Sequence, residues 1–175
     1  PCIVFPRHAS LGDTVLPVVL YGHPKKIKLR YVLKQELLWD PALDICGNRL
    51  PNHFVDRSGQ DSESAARAIR ELTATIGENE GIAMFPEGTR SRSGELAEFK
   101  DGAFKLAIEA GVPILPMVLN GTYNALTPNS WTFNQVKAEL RVLAPIETSE
   151  YSRGEVSLLR QHVQGVIAAE LAKMS

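Results

Sequence analysis

Cysteine is scarce: Cys2 and Cys46 are the only two in the chain. Two thiols are too few for a disulfide scaffold or a zinc finger, and neither stands in a C-x-x-C pattern, so a reducing compartment is the default expectation. Charge of one sign is missing as well, since 19 basic and 20 acidic side chains leave a formal net charge of −1 at pH 7. No cationic field of the kind that dominates nucleic-acid binding exists, so no nucleic-acid partner is expected, and any anion affinity must come from local clusters. Long apolar runs are absent too. Val15 to Tyr21 and Val112 to Leu119 are among the longest, each broken by proline, and both fall well short of the ~20 residues that span a bilayer. Three signatures of common chemistries are lacking: the G-x-S-x-G elbow of serine hydrolases, the G-x-x-x-x-G-K-[ST] phosphate loop and the G-x-G-x-x-G dinucleotide turn. His23, His53 and His162 have no neighbours at metal-ligand spacing, and neither a metal nor a redox cofactor is expected.

What remains is an ordinary globular composition, 44% hydrophobic over 175 residues, long enough for one domain with a real core. Short β-branched runs alternate with stretches of helical period, the pattern of an α/β domain with a largely parallel sheet covered on both faces. The predicted strands are Cys2 to Phe5, Ile27 to Leu33, His53 to Asp56, Ile82 to Phe85, Ile114 to Leu119 and Ala138 to Leu143. Apolar stripes at Ala65, Ile69, Leu72 and Ile76, and at Val156, Leu159, Val163, Ile167 and Leu171, predict two core-facing helices. A third is predicted from Asp101 to Ala110, with Asp101 as its N-cap and Gly111 as its stop. No repeat, low-complexity tract or linker divides residues 1–175. The chain opens at Pro1, directly on a hydrophobic run, and a signal, membrane anchor or further domain is expected upstream.

Glycine and proline gather in the loops Arg57 to Gln60, Pro86 to Gly94 and Asn120 to Ser130, where sites on α/β scaffolds are mounted. Directly after the first strand come His8 and Asp13, an imidazole and a carboxylate that meet if the chain turns into a helix between them. Asp13 would then fix the tautomer and leave His8 as a base; the plainer alternative is a helix cap and a loop histidine. Phe85-Pro86-Glu87-Gly88-Thr89-Arg90-Ser91 follows the fourth strand. Its small residues let backbone N–H groups approach an anion, and Arg90 adds a fork of donors suited to phosphate; the alternative is a surface turn with Arg90 paired to Glu87. Arg57, two residues after Val55, is a second phosphate ligand or an exposed charge. Lys25, Lys26, Lys28, Arg30 and Lys34 form a cationic stretch, either a solvated strand edge or a face toward an acidic membrane or substrate.

Taken together and in this order, these pieces resemble the glycerophospholipid acyltransferase family, and within it the bacterial 1-acylglycerol-3-phosphate (lysophosphatidic acid) acyltransferases. The family's H-x-x-x-x-D matches His8 and Asp13; its F-[IV]-x-R matches Phe54, Val55 and Arg57; its F-P-E-G-T-R-S is matched in full by Phe85 to Ser91; its V-P-[IV]-x-P matches Val112, Pro113, Ile114 and Pro116. Phe99 to Phe104 is similar to the family's F-K-x-G-A-F, and Ala144-Pro145-Ile146 to its P-P-I. Arg7 stands where Asn is common, and Leu50 to His53 lacks a Gly often seen there.

The resemblance implies a single α/β domain with a central mixed, mostly parallel sheet flanked by helices and the motifs grouped at one end. It implies transfer of a fatty acyl group from acyl-CoA or acyl carrier protein to lysophosphatidic acid, forming phosphatidic acid. His8 and Asp13 would be catalytic, and Lys34, Arg57, Glu87, Gly88, Thr89 and Arg90 would bind substrate. A membrane surface is the implied partner, on its cytoplasmic face, with peripheral attachment or an anchor absent from this chain. Competing expectations are another acceptor (glycerol 3-phosphate, a different lysophospholipid or a glycolipid), a thioesterase, and a non-catalytic lipid-binding module.

Overall fold

Six strands pair into a single sheet. The structure, a computed structural model, describes residues 2–6, 13, 17, 19, 26, 28–34, 53–55, 71, 74, 77, 80–89, 91–125 and 134–174, with 33–34 and 53–55 as backbone. The described strands are β1 (Cys2–Pro6), β2 (Lys28–Lys34), β3 (His53–Val55), β4 (Glu80–Ala83), β5 (Ile114–Asn120) and β6 (Glu139–Val142). Their order is β3-β2-β4-β1-β5-β6. Every neighbouring pair runs parallel except β5 with β6, which is antiparallel. This is the mixed, mostly parallel sheet that the alternating pattern and the resemblance predict.

Two helices are fully described, α1 (Asp101–Ala110) and α2 (Val156–Ala172). Side chains alternate across a strand, so β1 sends Ile3 and Phe5 to the core cluster shared with α1 and α2, and Val4 to the opposite one. Phe104 of α1 meets the Phe5 ring edge-on, 5.0 Å between centroids, and Phe99 stacks on Phe104 at 6.2 Å. α2 adds Val156, Leu159, Val163 and Ile167, the stripe read from its spacing. On the other face, Val4 lies with Tyr31, Ala83, Leu115 and Met117, all buried. Burying each such side chain is worth roughly 1.5–3 kcal/mol, against at most about 1 for an exposed ion pair, so the two apolar layers hold the sheet.

The predicted strands are all present, shifted by one or two residues at their ends. The largest shift is in β4, which starts at Glu80 and stops at Ala83; Phe85 is spent on a turn, its carbonyl accepting the Gly88 N–H at 3.0 Å. Asp101 is not the N-cap of α1. Lys100 holds that position in an extended conformation, its N–H taken by Pro86 O at 2.8 Å. Asp101 is the first helical residue, and its carboxylate faces Arg160 Nε at 3.0 Å instead of a backbone donor. Gly111 ends α1 as expected, with φ 60°. α2 follows a capping box in which Glu155 Oε2 accepts from Ser152 N and Oγ. Of the predicted helix before β4, Glu71 and Ala74 are helical and exposed; Ala65, Ile69, Leu72 and Ile76 lie outside the described residues. Among the described residues no helix is long and apolar enough to cross a membrane.

β2 and β4 are also clamped at the edge where they begin. Arg30 Nη2 pairs with Glu80 Oε2, which also accepts the Gly77 N–H. That backbone bond and the Arg30 charge hold the Glu80 carboxyl below its ordinary value of 4.5. A depressed folded-state value means stability that is present above the unfolded pKa and lost as pH falls through the folded one. Glu80→Gln is therefore expected to unfold at lower urea than the parent at pH 7, by roughly 1 kcal/mol for a partly buried charged pair. The gap should close as the pH drops below 4.5; a gap that persisted in acid would exclude the ionised carboxylate as its source.

Candidate active site

Parallel strands deliver their carboxyl ends to one edge of a sheet, and ligands of open α/β sheets bind in the crevice outside that edge. β1 lies between β4 and β5, with Val4 opposite Ala83 on one side and Leu115 on the other. Three chain segments therefore leave the same edge side by side: the one after Pro6, the one after Ala83 and the one after Asn120. β2 and β3 run the same way, so Lys34 closes β2 at this edge and Arg57 comes two residues after the end of β3. This register sends the segments of the first three motifs out at that edge, whereas the fourth, Val112 to Pro116, enters β5 from the opposite end, with Pro116 opposite Phe5.

Of the predicted catalytic pair, Asp13 is fully buried in a 3-10 turn, and His8 lies outside the described residues. A buried carboxylate is costly unless partnered, which sets Asp13 apart from a solvent-facing helix cap. Arg57 and Arg90 also lie outside the described residues, and Lys34 is described only as backbone.

The Phe85–Ser91 loop is built in detail. Pro86 and Glu87 form the body of a β-turn closed by Gly88 N–H to Phe85 O, with Gly88 in the left-handed region at φ 75°. A glycine there carries no Cβ penalty. Glu87 does not face solvent: its side chain is 2% exposed, and its Oε2 accepts the Ala97 N–H at 2.9 Å. Three residues further on, Lys100 N–H reaches back to Pro86 O at 2.8 Å. The two bonds join the start of the loop to the stretch that enters α1 and so close its stem. Thr89 is exposed and Ser91 buried.

The stem is held from α2 as well. Arg160 Nη1 donates to Glu98 Oε1 at 2.9 Å and to Phe99 O at 3.3 Å, and Gln164 Oε1 accepts the Phe99 N–H at 3.3 Å. The similarity of Phe99 to Phe104 to F-K-x-G-A-F thus has a physical content: Phe99 and Phe104 fill the core, and Lys100 and Ala97 close the loop. Two residues that the sequence reading passed over matter here, Ala97 through its backbone donor and Tyr123 through its contact with the loop. Tyr123 falls within the Asn120 to Ser130 loop, but composition gives no sign of which residue there reaches across. Among the described residues no three His, Cys, Asp or Glu side chains gather as metal ligands would.

The family described as Acyltransferase matches residues 1–120 of this chain. A 1-acyl-sn-glycerol-3-phosphate acyltransferase of Haemophilus influenzae is 36% identical over 142 residues, covering 81% of this chain and 58% of that protein. One of the same name from Escherichia coli is 34% identical over 142 residues, covering 81% and 56%. The chain thus spans about half the length of the curated relatives it matches. The crystal structure of the 1-acyl-sn-glycerophosphate (LPA) acyltransferase PlsC from Thermotoga maritima superposes with a TM-score of 0.80 at 28% identity, over 99% of this chain and 66% of that one.

The buried Glu87 gives a direct test of the loop's construction. Glu87→Ala leaves the Ala97 N–H without its acceptor and should cost about 2 kcal/mol in urea unfolding, as for a bond to a charged group. Glu87→Gln, which keeps an acceptor oxygen, should cost less. Equal stability of all three proteins would show that the stem is not held by this bond.

Proposed function

The chain belongs to the Acyltransferase family, and we propose that it transfers a fatty acyl group from acyl-CoA or acyl carrier protein to the free hydroxyl of lysophosphatidic acid, giving phosphatidic acid. The observation that carries this reading is the pairing of β1 with β4, which sends the His8–Asp13 segment and the Phe85–Ser91 loop out of adjacent strands. The names of the relatives supply the substrate class. An acyl transfer to a phosphate-bearing alcohol needs a base and an anion site within one molecule's length, and segments that leave neighbouring strands suit that requirement.

His8 takes the proton of the acceptor hydroxyl as its oxygen attacks the thioester carbonyl carbon, because an alcohol is a poor nucleophile until deprotonated. Asp13 orients the ring and stabilises the imidazolium. The tetrahedral intermediate collapses by breaking the C–S bond, and the leaving thiolate receives the proton from His8, so the enzyme ends as it began. Arg57 and Arg90 hold the acceptor phosphate, Lys34 adds a third cation, and Gly88 and Thr89 line the loop that Glu87 anchors. Holding the phosphate aims the hydroxyl, and such alignment can supply several kcal/mol of the barrier. The thioester is already activated, so the reaction needs no metal or redox cofactor. Lipid acceptor and product place the enzyme at a membrane surface, on the cytoplasmic face where acyl thioesters are made.

The test is release of free CoA from acyl-CoA with and without lysophosphatidic acid. Acceptor-dependent release should fall at least ~100-fold in His8→Ala, while Ser10→Ala keeps most of it, since no acyl-enzyme forms. Release that ignores the acceptor would make the protein a thioesterase. Lipid binding with no release from acyl-CoA or from acyl carrier protein would make it a non-catalytic module.

A further inference from the structure

The segment leaving β5 crosses to the loop leaving β4. Asn120 closes β5 with both ends of its amide engaged: Nδ2 donates to Met174 O at 2.9 Å, and Oδ1 accepts the Gly121 N–H at 2.9 Å. A 3-10 turn, Tyr123–Ala125, follows, and Asn134 ties its far end, with N donating to Ala125 O at 2.9 Å and Nδ2 to Asn124 O at 3.0 Å. Tyr123 thus stands on a turn fixed at both ends.

From that turn Tyr123 reaches the Pro86 to Gly94 loop in two ways, just past the Phe85–Ser91 motif. Its hydroxyl donates to Arg92 O at 2.8 Å. Its ring lies against Gly94, where an added Cβ would stand 3.0 Å from Cγ and 3.2 and 3.3 Å from the two Cδ atoms. Gly94 also has φ 78°, so any other residue there would be both strained and crowded against the ring. Arg92 is the second residue after Arg90 and follows the buried Ser91. The Gly88 turn and the Glu87 and Pro86 bonds fix the backbone before Arg90; Tyr123 fixes it after.

We propose that Tyr123 is a positioning residue for the anion-binding loop, presenting the backbone that carries Arg90 in the conformation that receives the acceptor's phosphate. The inference rests on the reading of that loop as the acceptor-phosphate site. Ordering a loose segment on binding costs affinity, and a segment tethered beforehand avoids that cost. The phosphate is held alike before and during acyl transfer, so loosening the tether should appear in the acceptor KM and leave kcat in place.

The full chain, Tyr123→Phe and Tyr123→Ala would be compared by CoA release against lysophosphatidic acid in detergent micelles, and by hydrogen exchange over residues 86–100. Losing one hydrogen bond predicts an acceptor KM about 5-fold higher for Tyr123→Phe. Removing the ring as well predicts about 10-fold or more for Tyr123→Ala, with kcat and the acyl-CoA KM within about twofold. Exchange over 91–97 should quicken in both variants. Unchanged acceptor KM, or a fall in kcat alone as from lost folded protein, overturns the proposal, and so does unaltered exchange. Should the parent protein release CoA regardless of acceptor, the acceptor reading fails by itself, and the exchange comparison decides whether Tyr123 holds the loop.

Discussion

The parallel pairing of β1 with β4 on one side and β5 on the other is the constraint on which the rest of the structure depends. A central strand with two parallel neighbours must have both faces covered, and here both are buried, by Ile3 and Phe5 one way and Val4 the other. The same pairing fixes which segments share an edge. Chemistry that needs a base beside an anion site can then be assembled from segments far apart in sequence without any loop having to travel far.

The aromatic contact between Phe5 and Phe104 links that strand to the helix that follows the Phe85–Ser91 loop. Phe104 anchors α1, Phe99 stacks on it, and the two backbone positions around Phe99, Ala97 and Lys100, hold the loop's first residues. Loop and core are therefore one construction: loosening the packing of Phe99 would be felt at Glu87. Arg160 and Gln164 extend the same support to α2, which is how a helix at the far end of the sequence bears on a site built near its start and middle.

Much of this was legible in the sequence. All six strands stand within one or two residues of where the pattern places them, and the α2 stripe with them; for the inner strands β1, β4 and β5, burial on both faces leaves little freedom to alternatives. The seven-residue loop was visible as a motif. Its interior was not: Glu87 reads as a substrate ligand or as the body of a surface turn, whereas it is buried and its carboxylate accepts the Ala97 N–H. Asp101 reads as a helix cap because aspartate so often is one; the helix does run from Asp101 to Ala110, but Lys100 takes the cap position, its N–H bound to Pro86 O. Tyr123 and Arg92 are 31 residues apart, and no local rule connects them. The pattern reveals elements; contacts between loops come only from the fold.

The central claim is that one edge of this sheet joins a thioester's acyl group to the hydroxyl of a lysophospholipid bearing a phosphate. Mass analysis of the lipid products, from acyl-CoA of known chain and lysophosphatidic acid of a different chain, tests it most directly. Phosphatidic acid carrying both chains, formed in a 1:1 ratio to released CoA, is the result the account predicts. Free fatty acid in place of the mixed-chain product, at any rate of CoA release, would contradict it.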